Sequence, residues 1–328
     1  MRQRILGRTR LPVSELALGG LFLTTESAPF SEARAAVLRG ISLGVNYIDT
    51  APGYGDSEAT LGLILPLADR PVMVSTKLGG RPQPFWPQDP RCLRRSVHES
   101  LRLLRRDHID ILMIHEPDRP GQYEWWTDPE QVTGPVLDVI GELKQEGAIS
   151  HAGLAGTTAY ELARLCRSGK FDVVLTALNY SLLWREAERE ILPAARDQDM
   201  GVIIGAPLQQ GALSRHHDDE IINGAPWLSP PRRAQFRALY ALLDEAGLGV
   251  AEAALRFVIS NPVVSSILTG VRSAAEVEQN AAALARGPLP ADLLAKLDQI
   301  AAAVPFRPFD EPPCLPFDRP YCGPGPMV

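Results

Sequence analysis

Two β-rich runs, PVMVSTKL (71–78) and HIDILMIHEP (108–117), stand on either side of a segment with helical periodicity. Each run is almost continuously apolar, which is typical of strands that are buried on both faces of a parallel sheet. The segment between them begins at Asp89-Pro90, and proline is favoured at the first position of a helix. These residues therefore predict a strand, a helix and a second strand parallel to the first.

The same alternation of strand and helix extends over most of the chain. The other β-rich runs are SELALGG (14–20), NYIDTA (46–51), SHAGLAG (150–156), FDVVLTALNYS (171–181), MGVIIGAPL (200–208) and VVSSILTGV (263–271). Helical segments are predicted at 31–44, from 89 to about 106, and at 128–147, 158–169, 184–199 and 273–287. Eight such repeats favour a closed (β/α)8 barrel, the TIM-barrel fold of the α/β class. The alternative is an open doubly wound sheet, but the G-x-G-x-x-G fingerprint of that fold is absent from the sequence.

Three segments lie outside the repeat. Residues 1–13 alternate around Gly7 and predict an N-terminal hairpin that closes the bottom of the barrel. Residues 209–249 form a long insertion after the seventh run, part loop and part helix, with the helix expected over 231–246. The tail from Pro305 onward is rich in proline and should be irregular. No linker divides the chain, so residues 1–328 are expected to form a single domain.

Composition and charge narrow the classes of function. The chain has 328 residues, of which 45% are hydrophobic and 22% charged, as in globular proteins. No apolar run reaches the length of a membrane span, and the first ten residues lack the apolar core of a secretory signal. A net charge of -6 gives no electrostatic footprint for nucleic acid. Four scattered cysteines fit neither a disulfide framework nor a cysteine-type zinc site, so a cytoplasmic location is expected.

Polar residues end three consecutive runs, at the edge where a barrel of this kind carries its active site. Asp49 ends the second run and is followed by Tyr54, Lys77 ends the third run, and His115 ends the fourth. Taken singly, each residue has an ordinary explanation. Asp49 could cap a turn and Tyr54 could be an aromatic residue that packs in a loop. Lys77 could be solvated, and His115 could be a core histidine whose hydrogen bonds are satisfied. All four explanations would have to coincide at the one edge that carries the chemistry. The residues together therefore indicate a catalytic site.

These four side chains fit one mechanism. A lysine ammonium beside a tyrosine hydroxyl favours the phenolate, so we expect Lys77 to lower the pKa of Tyr54 from ~10 toward the working range. Asp49 would pair with Lys77 and hold it in place. His115 would orient and polarise a carbonyl oxygen. Tyr54 would then act as a general acid that protonates an alkoxide as hydride arrives at the carbon.

At these residues the chain resembles the aldo-keto reductases. The matching stretches are LGRTRLPVSELALGG (6–20), GVNYIDTAPGYGDSEATLG (44–62), VMVSTKLGG (72–80), HIDILMIHEPD (108–118), APLQQGALS (206–214) and ILTGVRSAAEVEQN (267–280). The resemblance implies a (β/α)8 barrel with a nicotinamide cofactor extended across its mouth, without a Rossmann fold. It also implies that Asp49, Tyr54, Lys77 and His115 form the catalytic tetrad, with Tyr54 as the proton donor.

The resemblance further implies which residues contact the cofactor. They are Asn179, Pro207, Leu208, Gly270, Val271, Arg272, Glu276, Gln279 and Asn280. Arg272 and the start of the last helix suit the adenosine phosphate. Glu276 stands where the family usually has arginine or glutamine near the ribose 2′ position, and a carboxylate there would repel a 2′-phosphate. Because an exposed carboxylate can turn to water, we weight Arg272 more heavily and expect NADP(H) to be favoured and NAD(H) accepted.

Two positions depart from the family pattern. The Ser-Asn pair that grips the nicotinamide carboxamide is replaced by Ala155-Gly156, and the tyrosine that stacks on the nicotinamide is missing, with Gly205 nearest its place. Similar replacements are found in the branch that contains L-galactose, L-fucose and D-threo-aldose dehydrogenases. We expect Asn179 to take over a polar role at the end of the sixth run.

The sequence therefore predicts a nicotinamide-dependent oxidoreductase that interconverts an alcohol with an aldehyde, a ketone or a sugar aldehyde or lactol. The altered carboxamide grip leaves open a non-catalytic sensor or accessory subunit that binds the cofactor on the same barrel. A Schiff-base aldolase using Lys77 is disfavoured, because a lysine paired with Asp49 stays protonated. No metal is expected, since a solvated loop explains His216-His217-Asp218-Asp219 better than a metal site does. The five tryptophans are either packing anchors or walls of a substrate site.

Overall fold

Parallel strands occupy the centre of the molecule. The structure is a computed structural model and describes residues 1–119, 121–308, 311–312 and 314–318. Its strands are β1 (Gln3–Ile5), β2 (Pro12–Ser14), β3 (Leu16–Gly19), β4 (Tyr47–Asp49), β5 (Met73–Leu78), β6 (Ile109–His115), β7 (Ile149–Gly156), β8 (Val173–Ala177), β9 (Gly201–Gly205) and β10 (Ser266–Gly270). Strands β3 to β10 close into a barrel in the order β10-β3-β4-β5-β6-β7-β8-β9, with every neighbouring pair parallel. The predicted barrel is confirmed, and each apolar run contains one of its strands.

Helices surround the barrel. They are α1 (Phe30–Ser42), α2 (Ser57–Ile64), α3 (Pro90–Leu104), α4 (Pro135–Gln145), α5 (Ala159–Arg167), α6 (Glu186–Arg189), α7 (Ile191–Asp197), α8 (Asp218–Asn223), α9 (Pro230–Glu245), α10 (Val250–Ser260), α11 (Ala274–Ala285) and α12 (Ala291–Ala302). As predicted, Asp89 caps α3, where its side chain accepts a hydrogen bond from the backbone N–H of Arg91 at 2.9 Å. None of the described helices is long and apolar enough to cross a membrane.

The predicted start of α4 at Asp128-Pro129 is wrong. Asp128 and Thr133 instead pair backbone to backbone across a short turn, with N–H to O distances of 3.2 and 3.1 Å. The helix begins at Pro135, so a proline does occupy its first turn. Two prolines of this stretch, Pro129 and Pro135, could each begin a helix. The turn between Asp128 and Thr133 decides that Pro135 does so.

The N-terminal hairpin closes the bottom of the barrel, as predicted. Strands β1 and β2 pair antiparallel, and the side chains of Leu6 and Val13 are fully buried in the cluster that fills the barrel interior. The backbone N–H of Arg8 donates to the carbonyl of Asp199 just before β9, at 2.5 Å. The hairpin is therefore fixed to the N-terminal edge of the barrel, and the opposite edge remains available for a site.

The insertion and the tail are held together by a buried ion pair. The insertion contains the predicted helix, α9, and the described tail residues from Pro305 onward contain neither helix nor strand, as predicted; the rest of the tail lies outside the described residues. Arg232 of α9 is fully buried and its Nε lies 2.7 Å from Glu311 of the tail. The Trp184 indole N–H donates to the same carboxylate at 2.8 Å. These contacts fix the start of the tail against the insertion.

Gly62 marks a place where two helices approach too closely for a side chain. A Cβ at Gly62 of α2 would collide with the carbonyl oxygen of Leu103 in α3. Since backbone atoms cannot turn aside, we expect Gly62→Ala to lower the free energy of unfolding by about 1–3 kcal/mol. Gly141 of α4, where an added Cβ would meet nothing within 4 Å, is the matched control.

In the control, Gly141→Ala should raise the free energy of unfolding by about 0.5–1 kcal/mol, because alanine favours the helix and meets no obstacle. Urea unfolding of both variants beside the wild type measures the two effects. Equal changes of the same sign would contradict a special role for the α2–α3 contact.

Candidate active site

The pleat of the barrel strands directs polar side chains to a common point. Tyr47 and Asp49 lie two residues apart on β4, and Ser75 and Lys77 lie two residues apart on β5, so each pair shares a face. Tyr47 belongs to the cluster that fills the barrel, so this face is the interior one. Asp49 and Lys77 therefore point inward at the C-terminal edge of the barrel.

Asp49 and Lys77 form a buried ion pair. The Lys77 Nζ lies 2.7 Å from Oδ2 of Asp49 and donates to the carbonyl of Thr50, also at 2.7 Å. The Ser75 hydroxyl donates to the other Asp49 oxygen at 2.6 Å, and lies 2.7 Å from the Tyr47 hydroxyl. Both charged side chains are only 1% exposed. Burial of the two charges is tolerated because each has an opposite charge and further hydrogen bonds.

Tyr54 and His115 complete the group. The Lys77 Nζ lies 4.8 Å from the centroid of the Tyr54 ring. The rings of Tyr54 and His115 meet edge to face, with centroids 5.9 Å apart. All four residues predicted as the tetrad therefore lie together at the mouth of the barrel.

The pKa of Tyr54 differs from the prediction, whereas Lys77 is charged as expected. Burial by itself lowers the pKa of Lys77, but Asp49 and Tyr54 together raise it above the ordinary lysine value, so the ammonium stays charged. Burial raises the pKa of Tyr54 above its ordinary value, and Lys77 offsets this only in part. The predicted lowering of the Tyr54 pKa is therefore wrong for this structure, because loss of solvation outweighs a lysine charge that Asp49 already engages. Tyr54 is a protonated phenol at neutral pH.

His115 is a neutral imidazole. Burial, and after it the positive charges of Lys77 and Arg119, lower its pKa to about 3. A neutral imidazole can donate one hydrogen bond and accept one, but it does not supply a proton at physiological pH. His115 is therefore suited to orient an oxygen atom rather than to supply a proton at neutral pH.

Unusual backbone conformations concentrate at the same edge. The first residue after β6, β8 and β9 has a positive φ in each case: 51° at Glu116, 67° at Leu178 and 50° at Ala206. A left-handed conformation costs a non-glycine residue about 1–2 kcal/mol, and such residues cluster at functional sites. The three residues therefore mark the C-terminal ends of their strands as places of unusual backbone conformation.

At the end of β7, Asp118 takes the space that a side chain at Gly156 would need. A Cβ at Gly156 would lie 2.5 Å from Oδ1 of Asp118. The other carboxylate oxygen accepts hydrogen bonds from the backbone N–H groups of Thr157 at 2.8 Å and Thr158 at 2.5 Å. Oδ1 is buried and has no hydrogen-bond partner among the described residues. Asn179, after β8, donates to the carbonyl of Thr157 at 2.9 Å and so braces the same turn.

Residues predicted to hold the cofactor lie along the next strand ends. Pro207 is buried and Leu208 half-buried in the turn after β9, and Gln279 is exposed on α11. Asn280 of α11 is half-buried and its amide lies 3.4 Å from the Thr269 hydroxyl. Val271 is fully buried, which leaves only its backbone for a ligand.

The end of β10 and the start of α11 bring Gly270, Arg272 and Glu276 together. Gly270 makes room for the ring of Phe22, since a Cβ there would lie 2.5 Å from it, and the Arg272 guanidinium lies 4.0 Å from the centroid of that ring. Ser273 caps the helix by accepting from the N–H of Glu276 at 3.3 Å. Glu276 in turn accepts from the N–H of Arg272 at 2.7 Å. The expectation that Glu276 turns to water is therefore wrong in this structure: its carboxylate occupies the positive end of the helix dipole.

At the start of α11, the exposed Arg272 guanidinium is the group that could meet a phosphate of a nicotinamide cofactor. This guanidinium forms no ion pair within the described part of the chain, whereas the N-terminus of α11 is already engaged by the Glu276 carboxylate. The mouth of the barrel, with its glycines at the strand ends, adjoins the start of α11 through β10 and β3.

Several supporting residues were missed from the sequence. Tyr47, Ser75 and Thr50 hold the ion pair, and Phe22 supports Arg272. A polar residue two positions before Asp49 or Lys77 shares its face of the strand, so the period of two would have identified Tyr47 and Ser75. No comparable sequence signal identifies Phe22, which comes from a different loop.

Two of the tryptophans and the two histidines of the insertion have structural roles. Trp125 and Trp184 are each 1% exposed and therefore serve as packing anchors, whereas Trp86 is 61% exposed. The His216 ring stacks on Tyr240 at 4.0 Å, and the neighbouring histidine packs in the same way on an aromatic ring of the tail. Packing thus accounts for both histidines of the loop.

A sequence model of the aldo/keto reductase family matches residues 15–302. The chain belongs to the aldo/keto reductase family. This aldo/keto reductase is 31% identical over 296 residues to the L-galactose dehydrogenase of Arabidopsis thaliana, a match that covers 86% of this chain and 87% of that protein. It is 26% identical over 295 residues to the D-threo-aldose 1-dehydrogenase of a Pseudomonas species, covering 81% and 87% of the two chains.

The fold is also similar to that of a solved family member. The holo form of the aldo-keto reductase AKR11C1 from Bacillus halodurans superposes with a TM-score of 0.75 at 25% identity, covering 92% of this chain and 97% of that one. Aldo-keto reductases are oxidoreductases of carbonyl compounds and sugar aldehydes that use nicotinamide cofactors. The resemblance inferred from the sequence is confirmed.

Removing the lysine charge should damage both stability and activity. Lys77→Met leaves Asp49 unpaired inside the barrel, and we expect a loss of about 3–5 kcal/mol in the free energy of unfolding. Lys144→Met is the control, because Lys144 lies 2.8 Å from Asp172 but is 35% exposed. That pair should contribute only about 0–1 kcal/mol. Thermal unfolding compares the variants, and equal losses would show that burial of the Asp49 pair carries no special weight.

Proposed function

We propose that this protein transfers hydride between a nicotinamide cofactor and a small carbonyl or sugar substrate, with Tyr54 as general acid and base. The observation that carries the proposal is the buried Asp49–Lys77 pair beside a protonated Tyr54 and a neutral His115. The similarity to L-galactose and D-threo-aldose dehydrogenases favours sugars and hydroxyaldehydes among the substrates.

Each member of the tetrad has a distinct task in reduction. The bound cofactor supplies the hydride. His115 donates a hydrogen bond to the carbonyl oxygen and fixes its position, and the Tyr54 hydroxyl gives its proton to that oxygen as negative charge develops on it. Lys77 stabilises the phenolate that is left behind, and Asp49 keeps the ammonium charged and in place. In the direction of oxidation, the Tyr54 phenolate takes the proton from the alcohol.

The pKa of Tyr54 sets the balance between the two directions. Because burial raises this pKa, the protonated form needed for reduction is populated at neutral pH. The phenolate needed for oxidation becomes populated only as the pH rises. Reduction is therefore the direction for which the site is prepared near neutral pH, and oxidation gains at alkaline pH.

For the cofactor, we propose that NADP(H) is favoured and NAD(H) accepted. The Arg272 guanidinium, which lies 4.0 Å from the centroid of the Phe22 ring, keeps its N–H fork for a 2′-phosphate. Glu276 opposes this, since its carboxylate lies 2.7 Å from the Arg272 backbone nitrogen and would repel a phosphate. We further propose that residues 1–328 act as one domain in the cytoplasm, with Asn179, Pro207, Leu208 and the start of α11 contacting the cofactor.

Tyr54→Phe tests the proposed reaction. The variant keeps the ring and loses only the hydroxyl, so cofactor binding should persist while reduction falls about 10²–10⁴-fold. A panel of aldehydes, ketones and aldoses with each cofactor gives the rates, and fluorescence titration gives the affinities. Tyr160→Phe, at a residue 66% exposed on α5, is the control and should be unchanged.

A rate loss under threefold in the Tyr54→Phe variant would exclude Tyr54 as the proton donor. A wild-type protein that binds the cofactor tightly and turns over no member of the panel would instead favour a cofactor sensor or accessory subunit.

Two variants at the start of α11 test the cofactor preference. Glu276→Gln should increase the ratio of NADP(H) to NAD(H) affinity, because the repelling charge is removed, and Arg272→Ala should decrease it. Glu278→Gln, on the same helix but paired with Arg39, is the control and should leave the ratio unchanged. Calorimetric affinities for both cofactors measure the effect. Tighter binding of NAD(H) by the wild type, or an unchanged ratio in Arg272→Ala, would contradict the weighting of the two residues.

A further inference from the structure

Glu58 is a buried carboxylate beside β5 that the hydride-transfer scheme does not use. It is the second residue of α2, and its side chain is only 1% exposed. Its two oxygens have different partners. Oε1 accepts a hydrogen bond from the Thr76 hydroxyl at 2.6 Å, and Oε2 forms an ion pair with the Arg81 guanidinium. Glu58 therefore contacts the chain on both sides of Lys77, one residue before it and four residues after it.

The hydrogen bond from Thr76 has a structural purpose. Thr76 and Lys77 are neighbours on β5, so their side chains point to opposite faces and Thr76 faces the surrounding helices. The bond joins α2 to the outside of the barrel wall and satisfies one oxygen of a carboxylate that water does not reach. The ion pair with Arg81 is different, because Arg81 lies beyond the end of the strand. It fixes the loop that leaves the barrel.

Two glycines, Gly79 and Gly80, connect the end of β5 to Arg81. Their φ angles are 123° and 85°, values that a residue with a side chain rarely adopts. The Gly80 N–H donates to the Tyr123 hydroxyl at 3.2 Å. Because glycine loses more conformational freedom on folding than any other residue, such a segment needs to be held at both ends. The strand holds one end, and Arg81 holds the other.

The Gly79–Gly80 segment lies against the tetrad. A Cβ at Gly79 would lie 3.3 Å from the Cβ of His115, and a Cβ at Gly80 would lie 3.5 Å from the Cα of Gly53. Gly53 directly precedes Tyr54 in the chain. A displacement of the segment would therefore change the packing around His115 and around the loop that carries Tyr54.

The position of Arg81 depends on Glu58. Among the described residues, Glu58 is the only carboxylate within ion-pairing distance of Arg81. The contact of Arg81 with the Ser100 hydroxyl of α3, at 3.5 Å, is at the outer limit of a hydrogen bond. The Arg81 Nε is buried and has no hydrogen-bond partner in the described part of the chain. Loss of the Glu58 charge would thus free the far end of the Gly79–Gly80 segment.

We propose that Glu58 is a positioning residue for hydride transfer, which acts through Arg81 to hold the Gly79–Gly80 segment against His115 and the Tyr54 loop. This inference rests on the proposed function. His115 and Tyr54 have to meet the same carbonyl oxygen, and a misplacement of about 1 Å can lower the rate by about 100-fold. The effect should therefore fall on kcat more than on KM. The proposed cofactor contacts follow β8, β9 and β10, so cofactor affinity should not change.

A comparison of a single and a double variant separates positioning from stability. Arg81→Met leaves Glu58 buried without its charge partner, so this variant should lose both stability and activity. The double variant Glu58→Gln/Arg81→Met removes both charges, and its glutamine still accepts from the Thr76 hydroxyl. Because replacement of a buried ion pair by neutral groups is often neutral for stability, its thermal midpoint should return to within about 2 °C of the wild type. Its kcat on the carbonyl panel should stay about tenfold to hundredfold lower, at unchanged cofactor affinity.

Hydrogen exchange gives a second measurement that does not depend on turnover. In the double variant, peptides that span residues 78–82 should exchange at least about threefold faster than in the wild type, because the segment is held at one end only. The amides of β5 should remain protected. Arg94→Met is the matched control, since Arg94 is 29% exposed, close to the 24% of Arg81, but pairs with Glu142 and Glu146 of the neighbouring helical hairpin. It should change neither kcat nor the exchange of residues 78–82.

Different outcomes separate this inference from the proposed function. A double variant that regains both its stability and the full kcat, beside an active wild type, would show that the pair acts through stability alone and would overturn the inference only. Unchanged exchange at residues 78–82 would also overturn it, because the segment would then not depend on Arg81. A folded wild type that turns over no carbonyl compound with either cofactor would overturn the proposed function and this inference together.

Discussion

A carboxylate and an ammonium that are each 1% exposed cannot be buried separately without a large loss of solvation, so Asp49 and Lys77 depend on each other. Their partners extend through Ser75 and Tyr47 into the barrel interior, and through the Thr50 carbonyl into the loop that carries Tyr54. The pair therefore joins the packed core to the reactive mouth. The position of Tyr54 against Lys77 follows from this connection, because the same lysine binds the loop and faces the ring.

The two edges of the barrel carry different kinds of interaction. The N-terminal hairpin fills one edge with apolar side chains such as Leu6, which stabilises the barrel. The other edge contains buried charges and left-handed residues such as Glu116, Leu178 and Ala206, which cost stability. A closed, well-packed barrel can hold such residues because neighbouring strands fix their backbones, as the hydrogen bond from Glu116 to Ala155 shows. Part of the backbone strain thus lies at the C-terminal edge of the barrel, and part lies elsewhere, as at Asp199 just before β9.

The protonation states of the side chains at the mouth depend on a competition between burial and neighbouring charges. Burial keeps Tyr54 protonated and His115 neutral, whereas Lys77 remains an ammonium because Asp49 offsets its loss of solvation. Residue types alone suggested that the lysine would dominate the tyrosine pKa. The opposite result depends on how much water the closed barrel removes from the phenol, which is a property of packing.

The sequence by itself determined the order of the barrel strands, because buried parallel strands are apolar runs that remain visible in a single chain. It predicted most of the helices but missed α8, α10 and α12. It also predicted that Asp49, Lys77 and His115 lie together, since each ends such a run and strand ends converge in a closed barrel. It did not locate the start of α4, because two prolines competed for that role, nor α2, whose largely apolar residues lack an amphipathic period. Only the tertiary structure decided which groups support the tetrad, where Glu276 points and how Asp118 fills the space beside Gly156. These features depend on distances in space between residues that are far apart in the chain. The spacing of residues along the sequence gives the local periodicity of strands and helices but not those distances.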